Sequence, residues 1–235
     1  MSEAIDDYLK AIFELAEGSG RASTAAIAKQ LNVAPASVTG MLKKLAEKDP
    51  PWVAYEKHQG ASLSPRGRGR ALEIIRHHRL IEKFLHDSLG YRWDEVHDEA
   101  EKLEHTISEQ FEDRIAAQLG DPTVDPHGHV IPRKDGTMPE RPERALLDLP
   151  TGDAARVARV SDRDPDILRY LSSLGIKPGV ELRLLEKGPF DGPLMLQVGD
   201  AAKVHALGVK VCAEIHVSVA ATVNFTAREE LGVDA

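Results

Sequence analysis

The sequence predicts a mainly α fold with a small β-barrel at its C-terminal end. Three observations predict it. Apolar residues recur at helical spacing through the first half, a proline-rich stretch interrupts the pattern at residues 120–153, and short β-prone runs take over from Ala154. At 235 residues the chain is long enough for two or three compact units. With 42% apolar and 29% charged residues the composition is that of a globular protein, and no run approaches the roughly 18 apolar residues of a membrane helix.

Residues 4–17 place Ile5, Leu9, Ile12, Phe13 and Ala16 on one helical face, and Gly18 to Gly20 end that helix. Ser23 and Thr24 offer a cap for a short helix through Leu31, and Asn32 to Ala34 form a tight connector. Pro35 suits the first turn of a third helix, whose apolar face is Val38, Met41, Leu42 and Leu45. WVAYEK, a turn at His58 to Gly60 and ASLS then read as a short hairpin. Helix, short helix, turn, helix, hairpin is the order of a winged helix-turn-helix. One long helix is expected over residues 66–89 and a second from Trp93 to Leu119, each with an apolar stripe wide enough to bury against a partner. Residues 120–153 read as a partly ordered linker. Beyond it RVARV, VELRLLEK, LMLQV and CAEIHVSV read as strands around one helix, DPDILRYLSSLG, and a curved barrel packs them most naturally. Residues 222–235 read as a loose tail.

The net charge of -8 is unevenly spread: the first 70 residues carry a balance of +2 and the remainder -10. The basic part suits a nucleic acid and the acidic part a cation. The N-terminus carries no basic segment followed by an apolar core, and Cys212 is the only cysteine, so an internal disulfide is impossible and a reducing cytoplasm is the expected compartment.

His78 and Glu82 stand i, i+4 on the first long helix. On the second, His97, Glu101, Glu104 and His105 fall at offsets of 0, 4, 7 and 8, a continuous stripe of potential ligands. Imidazole with carboxylate and without thiolate favours Mn²⁺, Fe²⁺, Co²⁺ or Zn²⁺. His127 and His129 read as part of a loop turn held by Asp125, Pro126 and Gly128, and Cys212 as a core residue. The third helix presents Ala34, Pro35, Ala36, Ser37, Thr39 and Gly40, small residues that allow close approach to a major groove but few bidentate base contacts. Lys43, Lys44, Lys57 and Arg66, with Arg68 and Arg70, suit phosphates or simply a solvated face.

DDYLKAIFEL at 6–15, the helix-turn-helix at 23–45, RHHRLIEKFL at 76–85, VHDEAEKLEH at 96–105 and DPHGHVIP at 125–132 together resemble the iron- and manganese-dependent repressors of the diphtheria toxin repressor family, over essentially the whole chain. The resemblance implies a DNA-binding winged helix-turn-helix at 1–70, a helical dimerisation and metal-binding domain at 71–140, a linker at 141–153, an SH3-like domain at 154–221 and a tail at 222–235. It implies one metal site of His78, Glu82 and His97, completed by Asp166 or, less well placed, Asp164, and another of Asp7, Glu101, Glu104 and His105. Iron-type members carry methionine and cysteine where Asp7 and Glu101 stand; carboxylates there are the manganese-type choice and make the site harder. Manganese-type members often lack the SH3-like domain and carry glutamate where this chain has Lys10, so the chain combines manganese-type ligands with the longer architecture. The implied protein is a transcriptional repressor and not an enzyme. It would act as a homodimer on a near-palindromic operator in double-stranded DNA, without membrane or small organic substrate, and control metal-uptake genes. Mn²⁺ is the expected cofactor and Fe²⁺ the alternative, with Zn²⁺, Co²⁺ or Cd²⁺ able to substitute in vitro.

Overall fold

A computed structural model describes residues 2–16, 20–199 and 203–218. The expected helix stop at Gly18 and Ser19 and the expected tail at 222–235 lie outside the described residues. The chain divides into two compact units, Met1–Glu140 with Asp162–Arg169, and Arg141–Ser161 with Tyr170–Ala235.

In the first unit, α1 (Glu3–Leu15), α2 (Thr24–Gln30) and α3 (Pro35–Ala46) precede a two-stranded hairpin of β1 (Val53–Glu56) and β2 (Gly60–Leu63). Ser23 caps α2 by accepting from the Ala26 amide, and Pro35 opens α3, where its missing N–H costs nothing. Leu9, Ile12, Ile27, Val38, Leu42, Leu45 and Ala61 are fully buried and form one core beneath helices and hairpin. A long helix, α4 (Pro65–Leu89), follows, capped at its start by Ser64 and ended by Gly90 at φ 74°. Gly67 in its first turn lies so close to the wing that a Cβ there would meet the Trp52 carbonyl oxygen at 2.0 Å. Only glycine lets α4 leave the hairpin on this line.

The single helix expected from Trp93 to Leu119 is two helices, α5 (Val96–Leu103) and α6 (Glu109–Gln118). Ser108 accepts from the Phe111 amide and so starts α6 afresh. The periodicity of Leu103, Ile107, Phe111 and Ile115 misleads because the chain turns between Glu104 and Ser108. Leu103 and Ile107 pack with Ile81, Leu85, Val96 and Ala100, whereas Ile115 packs with Leu80 and Ile131, and Phe111 is exposed.

The second unit holds six strands: β3 (Glu143–Ala145), β4 (Ala154–Val160), β5 (Glu181–Lys187), β6 (Leu194–Val198), β7 (Val204–Leu207) and β8 (Ile215–Ser218). They form one antiparallel sheet in the order β3-β8-β4-β5-β6-β7. The sheet is open: among the described residues the edge strands β3 and β7 do not pair, so the expected barrel is not closed. β3 and a 3-10 turn at Leu146–Asp148 lie where a linker was expected, because Leu146 and Leu149 bury their side chains. The run CAEIHVSV is not one strand: α8 (Val209–Cys212) ends in the fully buried Cys212 before β8 begins. α7 (Pro165–Ser173) runs from the last segment of the first unit into the second.

Candidate metal centre

The i, i+4 spacing on α4 sets His78 and Glu82 on one face, both buried, and α5 brings His97 and Glu101 opposite them. Glu104 and His105 are not a continuation of the α5 stripe. They sit in the turn after it, where Glu104 caps α5 and is fully buried. These groups separate into two poles joined by His78, whose Nδ1 lies 2.5 Å from Glu104 Oε2 while its Nε2 lies 3.0 Å from Glu82 Oε1.

The first pole faces α1. His105 Nε2 stands 2.9 Å from Asp7 Oδ1 and 3.5 Å from Glu104 Oε1, and no hydrogen bond reaches His105 Nδ1. Burial raises the Asp7 pKa, His105 opposes the rise, and the neighbouring Glu104 and Glu101 add to it. Asp7 thus sits among excess negative charge, which a cation relieves. Glu101 does not join this triad. Its Oε1 is 2.5 Å from Lys10 Nζ and 3.8 Å from His78 Nδ1. Asp6, beside Asp7, is occupied by a paired contact with Arg70.

The second pole surrounds Glu82. Its Oε1 faces His78 and His97, the latter Nδ1 at 3.4 Å, and its Oε2 faces His127 Nδ1 at 3.6 Å, too far for a hydrogen bond. Asp162 Oδ2 lies 3.6 Å from His97 Nδ1 and 3.7 Å from His129 Nδ1. The loop Asp125–His129 is built to aim at the same point. Asp125 Oδ1 accepts from the amides of His127 and His129, which turns its Oδ2 inward, and His127 Nε2 donates to the Trp93 carbonyl at 2.6 Å. Four buried ligand-type atoms, Glu82 Oε2, Asp125 Oδ2, His127 Nδ1 and His129 Nδ1, make no hydrogen bond. Converging unsatisfied polar atoms are costly unless something binds them. An imidazole fixed by a carbonyl on one nitrogen while the other points into a carboxylate cluster is the arrangement of a metal ligand. The donor set, imidazole and carboxylate without sulfur, fits a borderline or hard divalent ion. Burial lowers the pKa of His78 and His127, but carboxylates outweigh it: Glu82 with Glu104 raises His78 to about 10, and Glu82 with Asp125 and Asp162 raises His127 to about 10. Burial pushes Glu82 up, and the two imidazoles nonetheless hold it well below the usual carboxylate range.

The acidic segment and the histidine loop are arranged differently from the expectation. Asp166 and Asp164 do not reach the Glu82 pole: Asp166 is exposed and pairs with Arg169, and Asp164 accepts from the Asp166 and Ile167 amides at the start of α7. Asp162, two residues earlier, is the acid that does. His127 and His129 do more than stabilise a turn; with Asp125 they supply the open donors. Their Asp-x-His-x-His spacing was the available signal, since a turn that bonds only its own amides has no use for two inward imidazoles.

On the reader surface Ala34, Pro35, Ala36, Ser37 and Gly40 are exposed along the start of α3, with Lys43 and Lys44 further along and Lys57 on the wing. Thr39 is half-buried and its hydroxyl donates to the Pro35 carbonyl. Arg66 is held by the protein itself, over the Trp52 ring at 4.1 Å and bonded to the Pro50 carbonyl. Arg70 is likewise taken up by Asp6 and Glu73, so the expected arginine ladder is not a free phosphate comb.

Comparison with known proteins gives three sequence-family matches in chain order: iron dependent repressor, N-terminal DNA binding domain, over residues 1–61; iron dependent repressor, metal binding and dimerisation domain, over 64–133; and FeoA domain, over 144–219. The chain is 31% identical over 197 residues to the iron-dependent repressor IdeR of Mycobacterium tuberculosis, which covers 77% of this chain and 85% of that protein. It is 37% identical over 112 residues to the HTH-type transcriptional regulator MntR of Oceanobacillus iheyensis, covering 48% of this chain and 74% of that one. A solved structure described as a manganese-dependent transcriptional repressor in complex with manganese superposes with a TM-score of 0.85 at 41% identity, over 91% of this chain and 99% of that one.

Proposed function

Because the chain belongs to the diphtheria toxin repressor family of iron- and manganese-dependent repressors, we propose that it is a Mn²⁺-responsive repressor whose two metal poles govern its DNA-reading head. Members of this family bind DNA and repress transcription, and are not enzymes. The observation that carries the reading is the contact of Asp7 with His105. Asp7 stands on α1, which packs in the same core as the reading helix α3, while Glu104 and His105 follow α5. Residues of the reader and of the helical segment thus share one ligand set.

Asp7, Glu104 and His105 would hold one divalent ion, with Glu101 beside them on Lys10. Glu82, His78, His97, Asp125, His127, His129 and Asp162 would supply the ligands of the other. A divalent cation supplies the positive charge that lets these carboxylates and imidazoles share one buried space. Oxygen donors at Asp7 and Glu101, in place of sulfur, favour Mn²⁺ over Fe²⁺. With the pole filled, Asp7 is held to Glu104 and His105, and α1 fixes the orientation of α3, so metal selects one arrangement of the reader from several. The exposed start of α3 enters the major groove, with Lys43, Lys44 and Lys57 on phosphates. A dimer built on the helical segment would set two such heads on a near-palindrome about one helical turn apart. Among the described residues no helix is long and apolar enough to cross a membrane, and we place this DNA-bound function in the cytoplasm.

The test is binding to the gene's own promoter at fixed salt, with chelator or with Mn²⁺, for the wild type and Asp7→Ala. The wild type is expected to bind at least tenfold more tightly with Mn²⁺ and Asp7→Ala to lose that gain. Equal metal dependence in both proteins would refute the role of the Asp7 pole.

A further inference from the structure

Lys10 lies one helical turn after Asp7, yet it does not snorkel to solvent. It is only 8% exposed, and a buried lysine is rare unless paired. Its ammonium is 2.5 Å from Glu101 Oε1, 2.8 Å and 3.1 Å from the two Glu104 oxygens and 3.2 Å from His78 Nδ1. His78, Glu101 and Glu104 are a set of ligand-type side chains whose atoms lie close enough to hold one cation, beside the Asp7, Glu104 and His105 set. The two sets share Glu104: Lys10 Nζ lies within 3.2 Å of every member of the first, whereas in the second His105 Nε2 contacts Asp7 Oδ1 at 2.9 Å and no lysine intervenes.

We propose that the Lys10 ammonium is a built-in cation that permanently occupies the position between His78, Glu101 and Glu104, and so limits this pole to a single divalent ion, held on the Asp7 and His105 side. The proposal rests on the metal-binding reading above and adds to it which of two adjacent positions is open. One fixed positive charge there neutralises one of the two glutamates and repels a second divalent ion at the distance of neighbouring ligands. Two carboxylates within 3.1 Å of Nζ are the partners that a buried ammonium needs. The same contacts hold Glu104, one of the three ligands of the Asp7 set, in place before metal arrives.

The experiment is a Mn²⁺ titration of the full chain, with free Mn²⁺ read by its electron paramagnetic resonance signal, for wild type, Lys10→Met, Lys10→Arg and Asp7→Ala. Lys10→Met is expected to bind one more Mn²⁺ per protomer than wild type, and Lys10→Arg the wild-type number. The melting temperature of Lys10→Met should fall by about 5 °C or more without metal and recover with it, because only the metal-free form then lacks a cation there. A Lys10→Met chain that folds only with Mn²⁺ supports the proposal equally. The same stoichiometry and midpoint as wild type overturn it. Reductive methylation of the wild type is the check that needs no variant: Lys10 should resist modification both with and without Mn²⁺, and a Lys10 that becomes reactive on metal loading has been displaced, contrary to the proposal. If Asp7→Ala removes no Mn²⁺ from the wild-type count, the reading of the whole pole fails instead, independently of Lys10.

Discussion

At the scale of single residues, the separation between Asp162 and Asp166 decides most. Both lie in one acidic segment, and only the fold distinguishes the one beside His97 from the one paired with Arg169 in solvent. Asp162→Asn should weaken Mn²⁺ binding at the Glu82 pole about 10–100-fold, the range for loss of a metal-site group, while Asp166→Asn leaves it unchanged; calorimetric titration of the two variants checks the pair. Protonation gives a second prediction. His78 and His127 hold protons more tightly in the folded metal-free chain, up to about 10, than unfolded imidazole near 6.5 does. Their contribution to metal-free stability is therefore complete below roughly pH 6.5 and is lost as pH rises toward 10. Metal requires the deprotonated nitrogen, so its affinity runs the other way and rises over the same window. Melting temperatures in chelator and in Mn²⁺ from pH 6.5 to 9 should diverge as pH increases; parallel curves would show that these imidazoles are not ligands. Cys212 offers a third. It is fully buried and burial raises its thiol pKa to about 11, so iodoacetamide at pH 8 should leave it unlabelled until denaturant is added.

At the scale of elements, the helices and hairpin of the reader were legible because short periodic segments were bounded by strong punctuation: Ser23 before α2, Pro35 at the start of α3, and Gly60 in the wing turn. The break between α5 and α6 was not, because Leu103, Ile107, Phe111 and Ile115 keep helical spacing across a turn. Spacing records which residues are apolar, not which partner each one packs against. The loop Asp125–His129 was legible as a turn held by Asp125, but not as a set of inward imidazoles. Its ligands are gathered by main-chain bonds to one carboxylate oxygen, and no helical or strand period marks that. The junction of wing and α4 carries its own prediction. Gly67→Ala forces a Cβ into the Trp52 carbonyl, and the backbone must shift to relieve it. The expected loss is about 2–4 kcal/mol by chemical denaturation, whereas Gly69→Ala, in the same helix and with nothing within 4 Å of its added Cβ, should stabilise by roughly 0.5–1 kcal/mol.

At the scale of the whole molecule, the order of segments was legible from composition alone: helical periodicity, then a proline-rich stretch, then β-prone runs. What composition left open was closure of the last segment. The β-prone runs fix that strands form, whereas closure depends on how the edge strands β3 and β7 end, and β3 falls in a stretch that reads as linker. The net charge of -8 conceals the same division of labour, a mildly basic reader and an acidic remainder that gathers its carboxylates around imidazoles. On the proposed function, coupling between them passes through Asp7 and is a free energy shared by both ligands, so it must be reciprocal.

The most direct test is therefore the Mn²⁺ affinity of the full chain measured with and without its promoter DNA at one salt concentration. The account predicts that DNA tightens Mn²⁺ binding by the same factor, at least tenfold, by which Mn²⁺ tightens DNA binding, and that Asp7→Ala abolishes both. Mn²⁺ binding that ignores DNA would show that the Asp7 and His105 pole does not govern the reader.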